Sequence, residues 1–125
     1  MILVDASSWV DHLRGSDEAL AGLLDAGSVL AHPFVIGELP VGNLRRRETV
    51  LAALADLPRA DIATDAEVLT FIDRHALFGL GMGYVDVQLL AATRSTAGAR
   101  LWTKDRRLHE FARDLGLAMT QNGGS

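Results

Sequence analysis

The sequence predicts an α/β sandwich with a mainly parallel sheet. Two observations carry this. Short apolar runs with strand character (residues 1–5, 28–31, 60–63, 100–103 and 117–119) alternate with longer stretches of helical period. Residues that start or stop helices sit at nearly every junction between them. At 125 residues, 49% hydrophobic and 22% charged, with no repeat, linker or low-complexity segment, the chain reads as one domain spanning 1–125. The tail Gln121–Ser125 is expected to fray.

The elements follow in order. Met1-Ile2-Leu3-Val4 is a buried strand closed by Asp5. Ser7 and Ser8 offer caps for a helix beginning near Trp9 and ending at Gly15. Asp17 opens a second helix with Leu20, Leu23 and Leu24 on one stripe, stopped by Gly27. After the strand Ser28–Ala31, Pro33 suits the first turn of a helix carrying Glu38. Pro40 lies too deep for that helix to continue unharmed, since an interior proline costs ~3 kcal/mol, so a kink or break is expected near Glu38. Residues 46–56 resume as a helix with Val50, Leu51 and Leu54 inward. A third strand is expected at Ala60–Ala63, then a helix capped by Thr64 or Asp65 and running to about Leu77. Gly79-Leu80-Gly81-Met82-Gly83 follows a helix rather than a strand, so it reads as a loop and not as a dinucleotide fingerprint. A helix over 84–96, the strand Arg100–Thr103, a helix over 106–115 with Leu108, Phe111 and Leu115 inward, and a short strand Leu117–Met119 complete the chain.

Composition narrows the function. There is no cysteine, which removes disulfides, zinc–thiolate sites and cysteine nucleophiles. No basic stretch precedes an apolar run at the start, and no segment approaches the ~18 apolar residues of a membrane span, so a cytoplasmic protein is expected. The net charge is −4, which counts against a simple nucleic-acid-binding module. It counts less against a chain whose bound cations bridge clustered acids to phosphate.

Four acids stand out: Asp5, Glu38, Asp86 and Asp105. Asp5 ends the first strand, Asp86 lies inside Gly83-Tyr84-Val85-Asp86-Val87-Gln88-Leu89-Leu90, Asp105 follows Leu101-Trp102-Thr103, and Glu38 stands between Val35-Ile36 and Leu39. Sites in open parallel sheets form beyond the carboxyl ends of strands. Gathered there, these acids would make a negative pocket suited to Mg²⁺ or Mn²⁺, which take hard oxygen ligands. Each acid also has a plain alternative: Asp5 and Asp105 as helix caps, Asp86 as a first-turn acid balancing the dipole, Glu38 on a solvated face. The basic groups Arg45-Arg46-Arg47, Lys104, Arg106 and Arg107 are either a solvated face or phosphate contacts. No Gly-x-Ser-x-Gly elbow, phosphate loop or His pair at metal-ligand spacing occurs, and Trp9 and Trp102 read as core.

Taken in order, Met1-Ile2-Leu3-Val4-Asp5-Ala6-Ser7, Ile36-Gly37-Glu38-Leu39, Gly83-Tyr84-Val85-Asp86-Val87-Gln88-Leu89-Leu90-Ala91 and Leu101-Trp102-Thr103-Lys104-Asp105-Arg106-Arg107-Leu108 resemble the PIN-domain ribonucleases. The nearest subgroup is the VapC toxins of bacterial toxin–antitoxin pairs. The resemblance implies a three-layer α/β/α fold and Mg²⁺- or Mn²⁺-dependent endoribonuclease activity. It implies that Asp5, Glu38, Asp86 and Asp105 hold the metal, with Ser7 and Thr103 as polar supports. It also implies a homodimer and a cognate VapB-type antitoxin. Arg46, Lys104 and Arg106 are then the candidate contacts to RNA phosphate. Water attack on the phosphodiester, with Asp5 or Asp86 taking the proton, would leave a 5′-phosphate and a 3′-hydroxyl.

Two other readings compete. A phospho-receiver module also uses strand-end acids and a lysine like Lys104, but it wants a pair of acids after the first strand, and Asp5 is followed by Ala6 and Ser7. A catalytically idle PIN fold would only bind its partner, which the presence of all four acids argues against.

Overall fold

The computed structural model describes residues 1–15, 17–39 and 47–119. Pro40, Arg45, Arg46 and the tail Gln121–Ser125, on which expectations were placed, lie outside the described residues.

Strand β1 (Ile2–Val4) lies at the centre of a parallel sheet, between β2 (Val29–Leu30) and β3 (Arg100–Trp102). A single parallel bridge extends each side: Ala31 with Arg59, and Leu101 with Ala118. The last expected strand is thus reduced to the bridge at Ala118, flanked by hydrogen bonds from Leu101 N to Leu117 O and from Met119 N to Leu101 O. The third expected strand, Ala60–Ala63, is corrected more sharply. Pairing stops after Ala60 N donates to Ala31 O, and the next amide, Asp61 N, is diverted to the Thr96 hydroxyl.

Helices α1 (Ala6–Gly15), α2 (Glu18–Asp25), α3 (Pro33–Glu38) and α4 (Arg47–Ala55) fill the path from β1 outward past β2. Helices α5 (Asp65–Arg74) and α6 (Tyr84–Ser95) bring the chain back across to β3, and α7 (Arg106–Asp114) follows it. The chain therefore moves away from β1 in one direction and then in the other. Parallel crossovers are right-handed, so opposite directions of travel place their helices on opposite faces of the sheet. The packing agrees: α1 meets α3, α5 meets α6, and both α6 and α7 meet β3. This is the three-layer α/β/α arrangement.

Local chemistry explains most boundaries. Thr64 and Glu67 form a reciprocal capping box at α5, and Asp17 caps α2 through Ala19 N and Leu20 N. His32 is fully buried, and its Nδ1 accepts from Phe34 N to cap α3, while burial lowers its pKa. Helix α3 ends at Glu38 because Leu39, ahead of a proline, is extended (φ −64°, ψ 141°). The expected break is therefore a helix end. Helix α5 stops at Arg74, short of Leu77, as Ala76 turns to φ 53°. Trp9 and Trp102 are both in the core with Leu3, Val4, Leu90 and Leu101.

Candidate metal and nuclease site

The register of the sheet builds the site. Val4 pairs with Trp102, so the next residues on each strand, Asp5 and Thr103, stand side by side at the carboxyl edge. This edge lies where the chain reverses its direction of travel across the sheet, the usual crevice of parallel α/β folds.

Asp5 is buried at 6% exposure and fixed by three donors. Its Oδ1 accepts from the Ser7 hydroxyl at 2.6 Å and from Ser8 N at 3.3 Å, and its Oδ2 accepts from the Thr103 hydroxyl at 2.5 Å. The two hydroxyls are themselves oriented: Lys104 N donates to Ser7 Oγ at 3.1 Å, and Asp105 N donates to Thr103 Oγ1 at 3.0 Å. Each hydroxyl therefore takes a backbone proton and gives its own to Asp5. An ionised carboxylate has about four acceptor sites, so the three bonds fix where Asp5 points without exhausting it. Ser7 and Thr103, expected as polar supports, both donate to Asp5. The capping expectation does not: α1 begins at Ala6, and Asp5, through Ser8 N, acts as its cap. Ser7 is turned instead toward a strand 96 residues away.

The other three acids arrive on helix ends. Asp105 caps α7 through Leu108 N at 3.0 Å, using Oδ1. Asp86 is half-buried in the first turn of α6, and Glu38 occupies the last turn of α3. The pKa of Asp86 is raised, first by lost solvation and then by the charges of Asp105 and Asp5. Glu38 is raised in the same way, by lost solvation and then by Asp86 and Asp5. Asp86 thus feels the charges of Asp105 and Asp5, and Glu38 those of Asp86 and Asp5. Among the described residues no three acids or histidines stand close enough to form a ready coordination shell. The donor set still fits a hard divalent cation: four carboxylates and two hydroxyls, with no ion pair claiming any of the four acids among the described residues.

The basic residues divide. Lys104 Nζ is taken by Asp17 at 2.8 Å and Asp11 at 3.2 Å, which turns it toward α1 and α2. Arg106 is 93% exposed and lies 3.7 Å from Glu110. Arg107, which was not singled out from its neighbours, lines a cavity of about 220 Å³ together with Asp86 and Asp105. Helical spacing held that signal: Arg107 is four residues before the inward-facing Phe111.

No family model matches the chain. Curated relatives do. The proteins named ribonuclease VapC32 from two strains of Mycobacterium tuberculosis are each 42% identical to it over 121 residues, spanning 97% of this chain and 98% of theirs. The chain belongs to the VapC ribonuclease family. The α/β fold with its central parallel sheet is that of a PIN domain, and the chain is a nuclease of that class. No helix among the described residues is long and apolar enough to cross a membrane.

Proposed function

We propose that this VapC family member is an Mg²⁺- or Mn²⁺-dependent endoribonuclease acting as the toxin of a type II toxin–antitoxin pair in the cytoplasm. The observation that carries the chemistry is the shared field of Asp5, Glu38, Asp86 and Asp105 at the carboxyl edge of β1 and β3. Those four acids would hold the cation. When bound, it neutralises charge gathering on the phosphate and makes water a better nucleophile. Asp5, oriented by Ser7 and Thr103, sets the direction of the site. Asp86 accepts no hydrogen bond from the described residues, so it is the carboxylate freer to take a proton from the attacking water.

Incubating the purified chain with RNA should give cleavage that needs Mg²⁺ or Mn²⁺, stops with EDTA, and leaves 5′-phosphate ends readable by ligation. Metal-independent cleavage leaving cyclic phosphates would sink the mechanism.

The partners rest on surface features. Leu69 and Tyr84 are 60% and 47% exposed, and the Tyr84 hydroxyl donates to Asp65, one turn before Leu69 on the same face of α5. These exposed apolar side chains, together with Phe78 at 65% exposure, support a homodimer. A cleft of about 210 Å³ between α1, α2 and α4, lined by Trp9, Leu13, Leu24, Val50, Leu54 and Leu57, supports docking of an apolar segment of a VapB-type antitoxin. Sedimentation should show a dimer that Phe78→Asp converts to monomer. Co-expression with the antitoxin should give a complex that Val50→Asp, at a partly exposed position of the cleft, breaks. A monomeric wild type, or an unaffected complex, removes the corresponding proposal.

A further inference from the structure

The glycine loop before α6 and the basic pair after Asp105 meet at one side chain. The Arg107 Nη2 donates to Leu80 O, and its guanidinium carbon lies 5.9 Å from the centroid of the Phe111 ring. A Cβ built on Gly81 would fall 3.1 Å from that same Nη2, and Gly81 adopts φ +73°. Glycine at 81 therefore leaves room for the guanidinium and permits the left-handed backbone. The pocket so formed contains Asp86 and Asp105 as well as Arg107, Met82 and Phe111.

Among the described residues, Arg107 forms no salt bridge with either acid, although it shares their cavity. Nor does helix stability explain it, because a cation in the first turn of α7 opposes the helix dipole. One of its five N–H donors goes to a carbonyl. The guanidinium, seated by the loop and the ring, lines the same cavity as the acids. A planar fork of donors next to a cation site matches the oxygens of a phosphodiester.

We infer that Arg107 is the residue of this site that grips the RNA backbone phosphate, seated by Gly81, in place of the neighbouring Lys104 and Arg106. This rests on the ribonuclease reading. Arg107 touches substrate and positions the strand without reading bases. Its bond to Leu80 also ties α7 to the loop that leads into α6 and Asp86.

The test compares Arg107→Gln, Arg107→Lys and Arg106→Ala with wild type, using a single-stranded RNA oligonucleotide and Mn²⁺. Gln keeps a donor for Leu80 but no charge. Phosphate contact predicts a KM raised about tenfold in Arg107→Gln, partly restored in Arg107→Lys, and near normal in Arg106→Ala. The slope of log Kd against log salt, measured in EDTA so that no cleavage occurs, should fall by about 0.7 in Arg107→Gln. Circular dichroism and the melting midpoint establish that each variant is folded. A normal KM and slope in Arg107→Gln would reduce Arg107 to a loop latch, and an equal loss in Arg106→Ala would make the effect general charge. Either result overturns the inference while the wild type still cleaves. A wild type that does not cleave RNA overturns both it and the ribonuclease reading.

Discussion

Asp86→Asn should abolish RNA cleavage, by at least about a hundredfold, without unfolding the protein. The substitution is nearly isosteric and removes one charge from a field in which Asp86, Asp105 and Asp5 repel one another. It removes a proposed anionic ligand that, like Glu38 and unlike Asp5 and Asp105, accepts no hydrogen bond among the described residues. Asp5→Asn should be equally inactive for a second reason. The amide nitrogen of asparagine only donates, so whichever of the Ser7 and Thr103 hydroxyls faces it loses its acceptor. Cleavage of a 5′-labelled RNA at saturating Mn²⁺, read beside circular dichroism, measures both. Wild-type turnover in a folded Asp86→Asn protein would remove it from the site.

The same substitution should make the metal-free protein more stable at neutral pH. Asp86 and Glu38 have folded-state pKa values raised above their ordinary ones. Between the unfolded and folded values the native state holds protons that the unfolded chain has lost, so stability declines as pH rises through that window. Above it the repulsion is fully present. In EDTA, the melting midpoint of Asp86→Asn should exceed that of wild type by on the order of a few degrees at pH 7.5. The difference should shrink toward pH 4. Mn²⁺ should reverse the order: at about 100 times its Kd, a ligand specific to the folded state contributes about 2.7 kcal/mol. Wild type should gain that stability and Asp86→Asn should not. Identical melting curves for the two proteins in EDTA at every pH would mean that Asp86 carries no such strain.

The acids were legible because each sits at a boundary that the sequence marks. Asp5 and Asp105 end apolar runs, and Asp86 enters a helix with no other first-turn acid. Strand ends and helix starts collect at one edge of a parallel sheet, so their placement toward that edge follows from the alternation of elements. Side-chain direction was less accessible. Lys104, Arg106 and Arg107 are neighbours in sequence, yet they point to α1 and α2, to solvent and to the acid cavity respectively. Only tertiary partners such as Asp17 and Leu80 decide this. Ser7 and Ser8 are good caps by residue type, but Asp5 takes that place because β3 supplies Thr103 and the Lys104 amide to hold Ser7 elsewhere. Residues 60–63 had strand character, yet one diverted amide at Asp61 ended the pairing.

The pairing of β1 with β3 also orders events during synthesis. The bond from Thr103 to Asp5 closes a loop of 98 residues, so the orientation of the first carboxylate depends on a residue made long after it. Loop closure over such a distance comes late, after local helices have formed. A nascent chain that has not yet released residue 103 holds Asp5 without its partner and lacks Asp105 altogether. Under the proposed function, the four acids can act together only once both ends of this loop have been made and brought together.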